Sequence, residues 1–129
     1  PNLDKIAAEK ICTGKPVSRG TAIGRAKIAL TVSEADKLAP GDILVAPITD
    51  VAWTPYFSLI AGLATDIGSA VSHGAVVARE YGLPAIVKTD IGTRVFRDGD
   101  IVVLDGDHGI LRLATEDELH AFNNKALNG

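Results

Sequence analysis

The sequence predicts a single α/β domain, and three observations carry that prediction. Short apolar runs at 42–46 (DILVA), 63–66 (LATD) and 85–87 (AIV) alternate with helical segments, as buried strands do between crossover helices. The second half is rich in strand signals separated by Gly–Asp turns. No repeat, low-complexity tract or interdomain linker divides the chain, and 129 residues fill one ordinary core rather than two.

Residues 2–11 (NLDKIAAEKI) have helical periodicity and form a lead-in over 1–13, ahead of a domain over 14–129. Segment 13–24 (TGKPVSRGTAIG) has the glycines and Pro16 of loops around one short strand. Residues 25–30 (RAKIAL) alternate, with Ala26, Ile28 and Leu30 on one face of a strand. Thr31 or Ser33 caps a short helix over 33–38, ended by Pro40-Gly41. After the strand at 42–46, residues 53–62 (WTPYFSLIAG) read as a short helix with Pro55 in its first turn and Gly62 as its stop. The strand at 63–66 leads through the Gly68-Ser69 loop into a helix over 72–81, stopped by Gly82 with Pro84 beyond. Strands are expected at 85–87, 94–96, 101–104 and 110–113, the last three separated by the turns RDGD (97–100) and DGDHG (105–109). Thr115 with Glu118 three residues later is a capping box, opening a helix over 115–126.

Composition excludes several function classes. Hydrophobic residues make up 47% of the chain, charged residues 22%, and the formal net charge is −3. No basic patch of the kind that binds nucleic acid is visible, and no apolar run approaches the roughly 20 residues of a membrane helix. The single cysteine, Cys12, rules out an internal disulfide and fits a reducing, cytoplasmic compartment. Its residue type and place suit a small buried apolar side chain better than a reactive thiol. Starting at Pro1 with no methionine anywhere, the chain is expected to be processed or cut from something longer. Three histidines and one cysteine give no metal-ligand spacing, so no metal site is expected. Gly14-Lys15 is followed by Pro16 rather than Ser or Thr and lacks the upstream glycine, which rejects a phosphate-binding P-loop.

The informative stretch is 65–84, TDIGSAVSHGAVVAREYGLP. A small-residue turn, Gly68-Ser69-Ala70, lets the backbone bend sharply and another molecule come close. Ser72 is a suitable N-cap. His73 then falls in the first helical turn, where unpaired N–H groups and the positive end of the helix dipole favour an anion. The dipole works against a further positive charge on the imidazole. A neutral imidazole is what a nucleophile requires, and a phosphoryl group acquired by it is the anion the helix end attracts. The competing reading is a surface or core histidine that merely starts a helix. Arg79 lies seven positions after Ser72, on about the same helical face. Its guanidinium either reaches a phosphate or forms a structural ion pair. Thr65 and Ser72 are placed to hydrogen-bond the imidazole or its phosphoryl group, or to serve only as strand-end and capping residues. Asp66 orients a ring nitrogen or stabilises the turn. Trp53 and Tyr56 read as core aromatics, and His108 and His120 as solvated residues.

These residues resemble the phosphohistidine signature of the phosphoenolpyruvate-utilising enzymes, the family of phosphoenolpyruvate synthase, pyruvate phosphate dikinase, enzyme I of the sugar phosphotransferase system and rifampin phosphotransferase. The resemblance rests on Thr65, Gly68, Ser72-His73, Ala78-Arg79 and Gly82-Leu83-Pro84-Ala85-Ile86-Val87. It extends upstream through 40–57 (PGDILVAPITDVAWTPYF) and downstream through 98–113 (DGDIVVLDGDHGILRL), covering about 14–113. Two positions depart from the pattern: Ser69 stands where a second glycine is usual, and Ser18-Arg19-Gly20 where many members have Ser-Pro-Gly.

The resemblance implies a compact swivelling β/β/α phosphohistidine domain. It implies that His73 takes a phosphoryl group from an ATP-grasp nucleotide-binding domain, or from phosphoenolpyruvate, and swings to an acceptor-substrate domain in the same chain or another subunit. Ser72, Arg79, Thr65, Gly68 and Ser69 would support the phosphate. No cofactor would be bound by this domain itself, with Mg²⁺ and ATP held by the partner. The acceptor would be pyruvate, a sugar-transport protein, an antibiotic or another hydroxyl compound. Neither nucleic acid nor membrane would be a partner. The alternative is a docking or regulatory module that keeps the fold without the chemistry.

Overall fold

The computed structural model describes residues 10–128. Its eight strands are β1 (Ile11–Thr13), β2 (Lys15–Ser18), β3 (Thr21–Ile28), β4 (Ile43–Ala46), β5 (Gly62–Thr65), β6 (Ala85–Val87), β7 (Ile101–Asp105) and β8 (Ile110–Leu113). Two 3₁₀ helices, Val32–Lys37 and Val51–Ser58, follow β3 and β4. Three α-helices complete the chain: α1 (His73–Tyr81), α2 (Gly92–Val95) and α3 (Glu116–Asn128). The strand order is β1-β8-β7-β3-β4-β5-β6-β2. Strands β3, β4, β5 and β6 run parallel, while β1, β8 and β7 run antiparallel to their neighbours and β2 closes the far edge against β6.

The pleat of β4 shows why the sheet must be covered on both faces. All four of its residues are buried, as expected for a central strand read as an unbroken apolar run. Leu44 and Ala46 join the cluster that packs under α1 and the second 3₁₀ helix, with Leu63, Ala85 and Val87. Ile43 and Val45 face the other way, into a cluster with Ala64, Ile86, Val102, Leu104 and Leu111. The second cluster lies between the parallel strands and the antiparallel strands, which fold across it. Gly62 permits that approach: a Cβ there would stand 2.6 Å from Leu104 Cδ2. The layers are therefore strand on strand, with α1 and the two 3₁₀ helices on the outer face of the parallel half.

Several elements differ from the sequence reading. Residues 94–96 form no strand; α2 occupies Gly92–Val95 instead. The Asp66 carboxylate accepts from Thr93 N and Thr89 Oγ1 accepts from Gly92 N, so one distant and one local side chain hold the first turn of a helix. Val95 and Phe96 are buried, and their apolar pattern suits either element. Segment 13–24 contains parts of three strands rather than one, because β2 pairs with β6 and β3 begins at Thr21. Residues 11–13 of the expected lead-in form β1, paired with β8; the rest of the expected N-terminal helix lies outside the described residues, apart from Lys10. The helix expected over 53–62 is a 3₁₀ helix that starts earlier, at Val51, because Asp50 Oδ1 accepts from Ala52 N. The capping box is present: Glu118 N donates to Thr115 Oγ1 and Thr115 N to Glu118 Oε1.

Among the described residues no helix is long and apolar enough to cross a membrane.

Cys12 is buried, and burial, followed by the nearby Asp66 carboxylate, pushes its thiol up to about 12. The folded chain will resist iodoacetamide at pH 8 and react fully in urea, as read by intact mass. Glu118 titrates in the opposite sense. The Arg112 guanidinium, then the Thr115 amide, hold its carboxyl well below the ordinary 4.5, at about 2. A lowered folded value means that its contribution to holding α3 is complete above the unfolded value near 4.5 and is lost as pH falls towards 2. Glu118→Gln will weaken the helical circular dichroism of α3 at neutral pH and flatten its change across that window.

Candidate functional site

The C-terminal ends of β4, β5 and β6 converge, and such strand ends are where open α/β sheets place their sites. Backbone bonds fasten the loops that leave them. Asp66 N donates to Ala46 O and Ile67 N to Pro47 O, while Thr89 N and Asp90 N donate to Thr65 O and Asp66 O. Loop 47–50, loop 66–72 and loop 88–91 thus form one ledge, from which α1 starts at His73.

The His73 imidazole is partly buried between α1 and the second 3₁₀ helix. Its Nε2 shares a 3.1 Å hydrogen bond with Thr54 Oγ1. Phe57 meets the ring edge-on, with centroids 6.1 Å apart and planes at 79°. Nδ1 is buried and has no hydrogen-bond partner among the described residues. Such an orphaned group costs about 1–3 kcal/mol, so the ring is held by packing and by Thr54 rather than by a bond at each nitrogen. Of the two nitrogens, Nε2 is the one that faces a polar neighbour.

Ser72 occupies the N-cap position with extended backbone, as the sequence predicts, but its hydroxyl makes no capping bond. Ser72 Oγ donates to Ser69 O at 2.7 Å and accepts from Ser69 N at 3.3 Å. The amides of His73, Gly74 and Ala75 have no acceptor among the described residues; the first helical bond is Val76 N to Ser72 O. An open helix start of this kind supplies N–H donors and positive potential to an anion.

The other predicted residues fall into two groups. Gly68 and Ser69 lie with Ser72 in the tight turn. Gly68 has φ of +148°, and a Cβ there would sit 3.2 Å from Ser72 Oγ and 3.3 Å from Val87 Cβ. Ser69 is not among the residues with positive φ, so replacing the usual glycine introduces no backbone strain; its Oγ accepts from Val71 N. Thr65 and Arg79 are turned elsewhere. Buried Thr65 donates from Oγ1 to Ile67 O. Arg79 donates from Nη1 to Val17 O at 2.9 Å and from Nη2 to Ala70 O at 2.6 Å, clamping loop 66–72 to edge strand β2. Asp66 faces Thr89 and Thr93, away from the imidazole, and serves the turn. Trp53 is buried, Tyr56 packs against the same cluster and donates to Asp36, and His108 and His120 are exposed. No three metal-ligating side chains come together among the described residues.

Two residues at the site were missed by sequence reasoning. Thr54 sits 19 residues before His73 in a segment that reads as core; only the packing of the second 3₁₀ helix on α1 brings them together. Thr49 is buried, its Oγ1 has no partner among the described residues, and it packs on Gly74. A hydroxyl inside an otherwise apolar run, 51–57, was the signal available for Thr54, while Thr49, next to Asp50, carried none.

The Thr49–Gly74 contact explains why α1 lies so low on the sheet. A Cβ on residue 74 would stand 2.7 Å from Thr49 Oγ1 and 3.1 Å from Leu63 Cδ2. Gly74→Ala will destabilise the domain by about 1–3 kcal/mol through overpacking. In a Thr49→Ala background the same change will have a smaller effect. Urea unfolding of the four proteins gives the coupling.

The chain matches the family described as "PEP-utilising enzyme, mobile domain" over residues 38–109. It is similar to the rifampicin phosphotransferase of Streptomyces sviceus, at 49% identity over 100 residues, covering 78% of this chain and 11% of the relative. It is similar to the phosphoenolpyruvate synthase of Aeropyrum pernix, at 44% identity over 104 residues, covering 80% of this chain and 13% of the relative. The solution structure of an Enzyme I protein (nEIt) superposes with a TM-score of 0.58 at 28% identity, covering 70% of this chain and 38% of that one. Against the eight curated relatives compared, the chain spans 3–13% of their lengths. With a histidine at an open helix start and the family's sequence around it, the chain belongs to the mobile domains of the phosphoenolpyruvate-utilising enzymes.

Proposed function

We propose that this domain is a cytoplasmic phosphoryl carrier, with His73 the residue that is transiently phosphorylated. The observation that carries the reading is the pairing of a histidine held through Nε2 with a helix start whose amides are left open. In the reacting tautomer Nδ1 keeps the ring proton and Nε2 offers its lone pair. Nε2 attacks the phosphorus of the donor, the bond from phosphorus to the leaving oxygen breaks, and its electron pair departs on that oxygen. Thr54 orients the ring before attack, and its hydroxyl must release Nε2 as the N–P bond forms. The new phosphoryl oxygens are then served by the free amides of α1. The donor is ATP, with Mg²⁺, held by an ATP-grasp domain; the acceptor is a small molecule bound by a further domain, as the similarity to a rifampicin phosphotransferase and a phosphoenolpyruvate synthase suggests. Arg79, Thr65, Gly68, Ser69 and Ser72 act by shaping the loop beneath the histidine.

Incubation with the ATP-grasp partner, Mg²⁺ and ATP will give an acid-labile phosphate adduct by intact mass, and His73→Ala will give none. Thr54→Val will keep the fold but slow labelling by up to about 100-fold, the effect of a small misplacement of a reacting group. An adduct from phosphoenolpyruvate alone would reassign the donor. No adduct from either, given an active partner, would leave a docking module.

A further inference from the structure

The five most exposed large apolar side chains among the described residues are Val71 (83%), Val51 (77%), Ile67 (61%), Leu30 (56%) and Ile48 (49%). All five lie at the end of the sheet that carries His73. Ile48 and Ile67 sit on loops joined by the Ile67 N to Pro47 O bond. Val51 opens the 3₁₀ helix that holds Thr54. Val71 precedes His73 by two residues, and Leu30 follows the end of β3, where Ala29 N donates to Val45 O. Scattered surface aliphatics are ordinary, but a cluster at one end marks an interaction surface.

The charges at this end are as unusual as its apolar side chains. From 47 to 73 the sequence has no lysine or arginine, and its two carboxylates are Asp50 and Asp66. Asp66 is buried against Thr89 and Thr93, and Asp50 caps the 3₁₀ helix. Arg79 is committed to two carbonyls. Lys88, exposed at the end of β6, is the cation that the adjoining loop supplies. A phosphoryl group on His73 would bring a charge of about −2, met by amides and hydroxyls and by no guanidinium from its own loops.

We infer that this end of the domain is an apolar docking collar, with Val51, Val71 and Ile67 at its rim, which seats on the mouth of the phosphoryl-donor domain's active site, and that the donor domain supplies the cations that neutralise the group in transit. The inference rests on the carrier reading. An apolar rim excludes water from the reacting group while it passes, and a cationic centre within an apolar rim complements the collar in both respects. A second copy of this chain does not, since it would bring two anionic groups face to face.

The test is the paired variant Val51→Asn/Val71→Asn, with Leu119→Asn, exposed on α3, as control. Each is labelled in two ways: by ATP, Mg²⁺ and the ATP-grasp partner, and by phosphoramidate, a small donor that needs no docking. The collar variant will take phosphate from phosphoramidate at the wild-type rate. With the partner its apparent KM as a substrate will rise at least about tenfold with the maximal rate kept, the scale expected when central interface side chains are lost. Leu119→Asn will change neither. Unchanged labelling of the collar variant by the partner would overturn the docking face, as would a dimer of the isolated wild-type chain, seen by sedimentation, that the paired substitution dissolves. Failure of wild-type His73 to accept phosphate from either donor would instead sink the carrier reading.

Discussion

The hydrogen bond from Ser72 Oγ to the Ser69 carbonyl sets the character of the whole site. A serine at this position ordinarily turns its oxygen towards the amides of the first turn, and that bond is worth about 1 kcal/mol to a helix. Here the hydroxyl points back into the loop. The loop gains rigidity, since the hydroxyl bonds both the amide and the carbonyl of Ser69, and the helix forgoes its cap. The same atom that tightens the turn thereby withholds a capping bond from the first helical turn, where the amides of His73, Gly74 and Ala75 are unpaired among the described residues. Stability that a cap would contribute locally is supplied instead by tertiary packing, with Gly74, Ala75 and Ala78 buried against the sheet.

The ledge beneath depends on polar side chains bonded across its loops, both buried, as Asp66 and Thr89 are, and at the surface, as Arg79 is. Asp66 accepts from two threonine hydroxyls and one amide, which joins the end of β5 to the start of α2. Arg79 draws loop 66–72 onto β2 with two carbonyl bonds. Lys88 and Asp90 adopt left-handed backbone, φ of 60° and 62°, on either side of Thr89. That geometry is uncommon for residues with side chains, and it is held where Thr89 bonds to both Thr65 and Asp66. The result is a helix start at His73 that rises from loops fastened to one another, with the ring itself held by Thr54 and Phe57. That suits a residue whose surroundings must stay in register while the domain itself moves.

Much of this was readable before any coordinates. The strands at 42–46 and 85–87 announce themselves because central parallel strands are buried on both faces and so read as unbroken apolar runs. The helix start at Ser72-His73, the Gly82 stop and the Thr115–Glu118 capping box are local signals that need no tertiary contact. What was not readable depends on distant partners. Residues 94–96 carry strand-forming types in Val95 and Phe96, yet the helix there is fixed by Asp66, 27 residues before Thr93, together with the nearby Thr89 hydroxyl. Arg79 has the residue type of a phosphate ligand, and its pairing with Val17 and Ala70 carbonyls is invisible without the fold of β2. Thr54 looks like core filler until the second 3₁₀ helix is laid against α1. The histidine was therefore legible and its immediate holder was not, because a holder is defined by proximity and not by pattern.

Among the described residues no cation is bonded at His73, and for a carrier that has a thermodynamic consequence. A guanidinium bonded to the phosphoryl group would stabilise the loaded state, and any stabilisation of that state alone raises the barrier to passing the group onward. Backbone amides and hydroxyls hold an anion more weakly and over a shorter range than a full charge does. By keeping Arg79 occupied with carbonyls, the fold withholds its strongest phosphate ligand from the site. In the proposed carrier cycle the decisive electrostatic stabilisation then belongs to the docked domain, applied to the transition state rather than to the resting adduct. A loop of small side chains, an uncapped helix and an apolar rim form one solution to the requirement that a group be accepted at one place and surrendered at another.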